Sequence, residues 1–127
     1  SSAASDVYKR QALEGPQDHL KYMVEQYRLR RDYVMRRISE IPGLSCHAPA
    51  GTFYAFIDIS QLGMPCEEFA MKLLEERQVV VVPGTAFGEF GEGYIRLSYA
   101  TSMQCLEQGL QELEEFVRSH ETKGDPA

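Results

Sequence analysis

Residues 79–101 read VVVVPGTAFGEFGEGYIRLSYAT. Two apolar runs, 79–82 and 94–99, flank a glycine-rich turn, which predicts two buried strands and their connection. In the second run Ile95, Leu97 and Tyr99 alternate with Tyr94, Arg96 and Ser98. If the first set faces the core, the second faces away from it. Arg96 stands in the middle of that run, where a guanidinium among apolar neighbours is costly unless an anion pairs with it. Glu92 is no obvious partner, since four residues of extended strand place it about 13 Å away. The pairing anion is therefore expected from another segment or from a ligand.

The connection contains Gly84, Gly88, Gly91 and Gly93 and superficially suggests a phosphate cradle. It lacks both GxGxxG and GxxxxGK[ST], and it leads into a strand where phosphate loops lead into a helix N-terminus. It is read as a connector. After it, Ser102 is placed to cap a last helix, with Leu106, Leu110, Leu113, Phe116 and Val117 at helical spacing. Before it, Cys66-Glu67-Glu68 opens a short amphipathic helix running to about Arg77, its face built from Phe69, Ala70, Met71, Leu73 and Leu74. Residues 52–59, TFYAFIDI, place Phe53, Ala55, Ile57 and Ile59 on one side and Thr52, Tyr54, Phe56 and Asp58 on the other. Both sides are largely apolar, which predicts a central strand. A short strand at 44–48 precedes it.

Further upstream, Gly15-Pro16-Gln17-Asp18 starts a long helix. Leu20, Val24, Tyr27, Arg31, Val34, Ile38 and Ile41 mark one face of it, and Pro42-Gly43 ends it after roughly 24 residues. Its length suggests a helix joining two bodies, and Arg31, alone on the apolar stripe, needs a partner. The order helix, strand, strand, helix, strand, strand, helix predicts an α+β fold: a small mixed or antiparallel sheet with helices packed on one face and a long N-terminal connecting helix. Residues 1–10 read as a tail or as sequence foreign to the domain, 11–120 as the domain, and 121–127 as a disordered tail.

The 127 residues carry a net charge of −6, with 43% hydrophobic and 25% charged residues, the composition of an ordinary globular domain. The acidity argues against nucleic acid or an anionic membrane as partner. No apolar run reaches the 18 or so residues of a membrane span, no signal peptide is apparent, and a cytoplasmic protein is expected. Cys46, Cys66 and Cys105 are odd in number and widely separated, and His19, His47 and His120 are scattered. Neither a disulfide framework nor a metal site is expected.

PGTAFGEFGEGYIRLSYAT resembles the C-terminal signature of class I/II aminotransferases, the fold type I pyridoxal phosphate enzymes. The resemblance continues through GPQDHL and RLRRD in the long helix and PAGTFYAFIDI in the central strand, and covers about residues 11–120. It implies the small C-terminal domain of such an enzyme, acting on amino acid and 2-oxo acid substrates as a homodimer. Arg96 matches the family's arginine for the substrate α-carboxylate. Gly51 and Phe53 match a turn that approaches the substrate side chain, and Thr85, Phe87 and Gly88 match a loop bordering the site. The resemblance also implies that the Schiff-base lysine, the aspartate facing the pyridine nitrogen and the phosphate-binding residues belong to an upstream large domain. Lys9, Lys21, Lys72 and Lys123 lack the Ser-x-x-Lys context, so no catalytic or cofactor-binding residue is assigned here. The chain is accordingly expected to be a fragment that is inactive alone. Two other readings are a ligand-sensing aminotransferase-like domain of a transcriptional regulator, which would carry a DNA-binding module upstream, and a free-standing α+β interaction domain, which would expose no apolar face.

Overall fold

The computed structural model describes residues 16–121. Helix α1 (Pro16–Ser39) is followed by strands β1 (Ser45–His47) and β2 (Tyr54–Asp58), helix α2 (Cys66–Arg77), strands β3 (Val82–Pro83) and β4 (Tyr94–Ser98), and helix α3 (Met103–Glu121). The element order is the expected one. All pairings are antiparallel, in the order β1-β2-β4-β3. Strand β2 is interior, as its two apolar faces require.

One face of the sheet builds the core. Ala55, Ile57 and Ile59 join Ile95, Leu97 and Tyr99, and onto them pack Val34 and Ile38 of α1, Phe69 and Leu73 of α2, and Leu106, Leu110, Leu113, Phe116 and Val117 of α3. Phe69 and Phe116 meet edge to face at 5.1 Å between ring centroids, a favoured aromatic geometry. Helix α3 starts where expected: the Ser102 hydroxyl accepts the Cys105 N–H at 3.1 Å, satisfying an otherwise orphaned donor. With the odd-numbered residues of β2 and β4 turned inward, Tyr54, Phe56, Arg96 and Ser98 face the other way.

Helix α1 has two characters. Its C-terminal half is in the core, whereas Leu20 is 61% exposed and Tyr22, Val24 and Leu29 are about half exposed. The apolar stripe thus outruns the body it packs on. Arg30 Nε donates to the Thr101 carbonyl at 2.7 Å. Arg37 reaches Glu114 and Gln111 of α3 at 2.9 and 3.2 Å. Arg31 finds its partner in the adjacent Asp32, 3.7 Å away.

Two local expectations need correction. Residues 79–82 are not a buried strand: only Val82 and Pro83 pair with β4, and Val80 is 72% exposed. Helix α2 ends on Gln78 in the left-handed conformation, with its N–H bonded back to the Leu74 carbonyl. The chain first meets β4 at Val82, and Pro83 has no N–H with which to extend the ladder further. On α2, Cys66, Phe69 and Leu73 are buried while Met71 and Leu74 are exposed, because one narrow stripe suffices to cover the sheet. Helix α3 runs to Glu121. The His120 ring lies tilted against Phe116 at 4.3 Å between ring centroids, and its Nε2 lies 3.0 Å from Glu76 Oε1. Of the tails expected at 1–10 and 121–127, residues 1–10 and 122–127 lie outside the described residues.

Candidate anion-binding site

Strands β2 and β4 set Phe56 opposite Arg96 and Tyr54 opposite Ser98. On the face away from the helices Tyr54 is thus the diagonal neighbour of Arg96, within reach of a long side chain. The guanidinium carbon lies 4.2 Å from the centre of the Tyr54 ring and 4.4 Å from that of Phe87. Each contact is a cation–π interaction worth about 0.5–1 kcal/mol where partly exposed.

Among the described residues no carboxylate pairs with Arg96 and no acceptor hydrogen-bonds its side chain. Glu92 is engaged elsewhere. Its Oε2 accepts the N–H groups of Cys66 and Gly93, both at 2.9 Å. Those bonds, the Cys66 one first, hold its carboxyl below the ordinary carboxylate range. Two aromatic rings therefore pack against a half-buried guanidinium that no acidic side chain among the described residues pairs with. A planar fork of donors held in this way suits a carboxylate, gripped by two parallel hydrogen bonds.

Phe87 belongs to a connector of two short 3-10 turns, Gly84–Phe87 and Glu89–Gly91. Its base closes by backbone contact, since a Cβ on Gly84 would collide with the Gly91 carbonyl and a Cβ on Gly91 with that of Gly84. Phe90 projects from its tip and is 93% exposed.

Of the residues matched at the sequence level, the structure gathers Arg96 and Phe87. Thr85 instead donates its hydroxyl to Glu67 Oε1 at 2.9 Å. Gly51 and Phe53 lie with α1 and Tyr99. The Gly51 N–H, at a φ of 80° that favours glycine, donates to the Tyr27 hydroxyl at 3.1 Å. Phe53 stands edge-on to Tyr27 at 5.2 Å. The Tyr99 hydroxyl donates to the Thr52 carbonyl at 2.7 Å. Tyr54 was missed in the sequence reading, although the alternation in 52–59 already put it on the outward face.

The described lysines do not complete a cofactor site. Lys72 pairs with Glu68 on its own helix at 3.7 Å, and Lys21 lies on the protruding half of α1, lining a shallow groove with Leu20, Val24, Glu25 and Arg28. Among the described residues no cluster of three or more side chains is arranged to hold a metal ion, and no helix is long and apolar enough to cross a membrane.

Comparison with known proteins adds a family. The model of aminotransferase class I and II matches residues 1–113. The chain is 45% identical over 107 residues to the putative aminotransferase YugH of Bacillus subtilis (strain 168), an alignment covering 84% of this chain and 28% of that protein. Among solved structures it is similar to the aromatic aminotransferase from Pyrococcus horikoshii OT3, with a TM-score of 0.79 and 37% identity over 85% of this chain and 29% of that one. It is similar as well to the PLP-bound putative aminotransferase from Clostridium difficile 630, with a TM-score of 0.75 and 27% identity over 84% of this chain and 28% of that one. The chain thus spans 28% of the curated relative YugH.

Proposed function

The chain belongs to the class I and II aminotransferase family, and from that premise we propose that it forms part of an enzyme moving an amino group between an amino acid and a 2-oxo acid, in which Arg96 binds the substrate α-carboxylate. The observation that carries this reading is the Arg96 guanidinium, packed against the rings of Tyr54 and Phe87 with no anionic partner among the described residues. Donor and acceptor both bear a carboxylate beside the reacting carbon, so one arginine serves both. A two-point grip removes rotation of that carbon relative to the site and turns its substituents toward groups that act on them. Arg96 orients the substrate without itself moving protons.

Pyridoxal phosphate is the cofactor of this reading, supported by the PLP-bound relative, and it supplies the electron sink for amino transfer. The described residues do not fit it. Neither Lys21 nor Lys72 lies with the Arg96 cage, and the glycine-rich connector leads into β4. On this reading holding the cofactor falls to other residues of the enzyme, and the 127-residue chain alone would not transaminate. On the same reading the whole enzyme is a cytoplasmic homodimer of amino-acid metabolism.

The test is Arg96→Leu in the full-length enzyme. We expect the KM of both substrates to rise by about 100-fold, the loss of a charge-assisted two-point hydrogen bond, with cofactor content unchanged. Unchanged KM values would overturn the assignment.

A further inference from the structure

Helix α2 begins without a cap of its own. Pro65 stands at its N-cap position and offers no side-chain hydrogen bond, so the first N–H groups need acceptors from elsewhere. The acceptor for Cys66 comes from far along the chain: Glu92 Oε2, on the connector that carries Phe87, takes the Cys66 N–H at 2.9 Å. The same oxygen takes the Gly93 N–H at 2.9 Å, fixing the carboxylate to its own backbone. A second link runs in parallel from Thr85 Oγ1 to Glu67 Oε1 at 2.9 Å, with Cys66 Sγ 3.7 Å from the same hydroxyl. The two links grip the connector on either side of Phe87, and both end on the first turn of α2. A cap supplied by residue 65 itself would stabilise α2 without drawing on Glu92 of the connector. Here capping the helix and fixing the connector are one act.

Phe87 is the wall of the Arg96 cage that does not belong to the sheet. Tyr54 is placed by strand register, whereas Phe87 is only as well placed as its connector. It is about half exposed, with ring contacts to Phe56 at 6.4 Å and to the Arg96 guanidinium, too little packing to hold an exposed turn by itself. We propose that Glu92 and Thr85 are positioning residues for substrate binding: by tying the connector to the first turn of α2 they keep Phe87 against Arg96 and so aim its N–H edge at the substrate carboxylate. This rests on the reading of Arg96 given above.

The experiment uses the full-length enzyme and measures KM and kcat for both substrates, with a thermal melt for each variant. Glu92→Ala is expected to raise both KM values about tenfold and to change kcat by less than about twofold, the signature of a misaimed binding group. Glu92→Gln keeps an acceptor oxygen and is expected to restore KM to within about threefold of the wild type. In a Phe87→Ala background Glu92→Ala is expected to add less than about twofold, because the group it positions is already gone. Should Glu92→Ala fail to fold, Thr85→Val, nearly isosteric and lacking the hydroxyl, carries the same test with an expected rise of about threefold. Wild-type KM in folded Glu92→Ala, or in Thr85→Val where that variant carries the test, overturns the proposal, as does full additivity with Phe87→Ala. Arg96→Leu run alongside separates the two ideas. If it raises KM while Glu92→Ala does not, the latch alone falls; if Arg96→Leu leaves KM unchanged, the carboxylate assignment falls and the latch with it.

Discussion

Arg96 shows both how far single residues can be read and where that reading ends. Alternation in 94–99 is a local property, and it put the guanidinium on the outward face before any pairing was known. The rings that hold it are not local. Tyr54 arrives through the β2–β4 register and Phe87 through the fold of a connector, and neither contact has a signature in sequence spacing. Gly51 illustrates the converse, a turn glycine whose N–H donates to Tyr27 of α1. The cysteines give a prediction at the same scale. Burial pushes the Cys46 thiol up to about 11, Cys66 is fully buried and Cys105 is exposed on α3. Since the thiolate is the reactive form, an aromatic disulfide reagent at pH 8 should label Cys105 promptly, and Cys46 and Cys66 only once the protein unfolds. Equal labelling rates for all three in the native protein would contradict these burials.

Among the elements, the helices were readable because long amphipathic periodicity survives tertiary context, and Ser102 marked the start of α3 where the Cys105 N–H needs it. Residues 79–82 were misread because four consecutive valines look the same whether they pair or merely lead into a pair. Helix α2 ends on Gln78 in the left-handed conformation, and the chain that leaves it pairs with β4 only from Val82 onward, a matter of three-dimensional geometry. Helices α1 and α3 are clamped by Arg37 and Glu114, with Arg37 only 13% exposed at its side chain. Arg37, and after it Arg118, hold the Glu114 carboxyl below the ordinary range. A carboxyl lowered on folding adds stability that is complete above its unfolded pKa of about 4.3 and is lost as pH falls through the lower folded value. Glu114→Gln should therefore be less stable than the wild type by about 1 kcal/mol at pH 7. The gap should narrow in urea unfolding below about pH 4, where both carry a neutral side chain. A pH-independent gap would show that the pair contributes by packing alone.

At the scale of the molecule, the apolar residues of the protruding half of α1 and the 93% exposed Phe90 describe a body built to be continued. They sit poorly with a free-standing interaction domain, and they agree with a chain that spans 28% of the curated relative YugH. Composition excluded little at this scale, and what the motifs added was a family resemblance borne out by the match over residues 1–113. Arg96 as the carboxylate ligand is the claim on which the functional reading stands. The most direct measurement compares single-turnover amino transfer from an amino acid with transfer from its decarboxylated amine, in the full-length wild type and in Arg96→Leu. If Arg96 grips the α-carboxylate, the wild type's preference for the amino acid should shrink by about 100-fold in the variant, with the rate for the amine little changed. A preference that survives the substitution intact would mean that the carboxylate is held by something else.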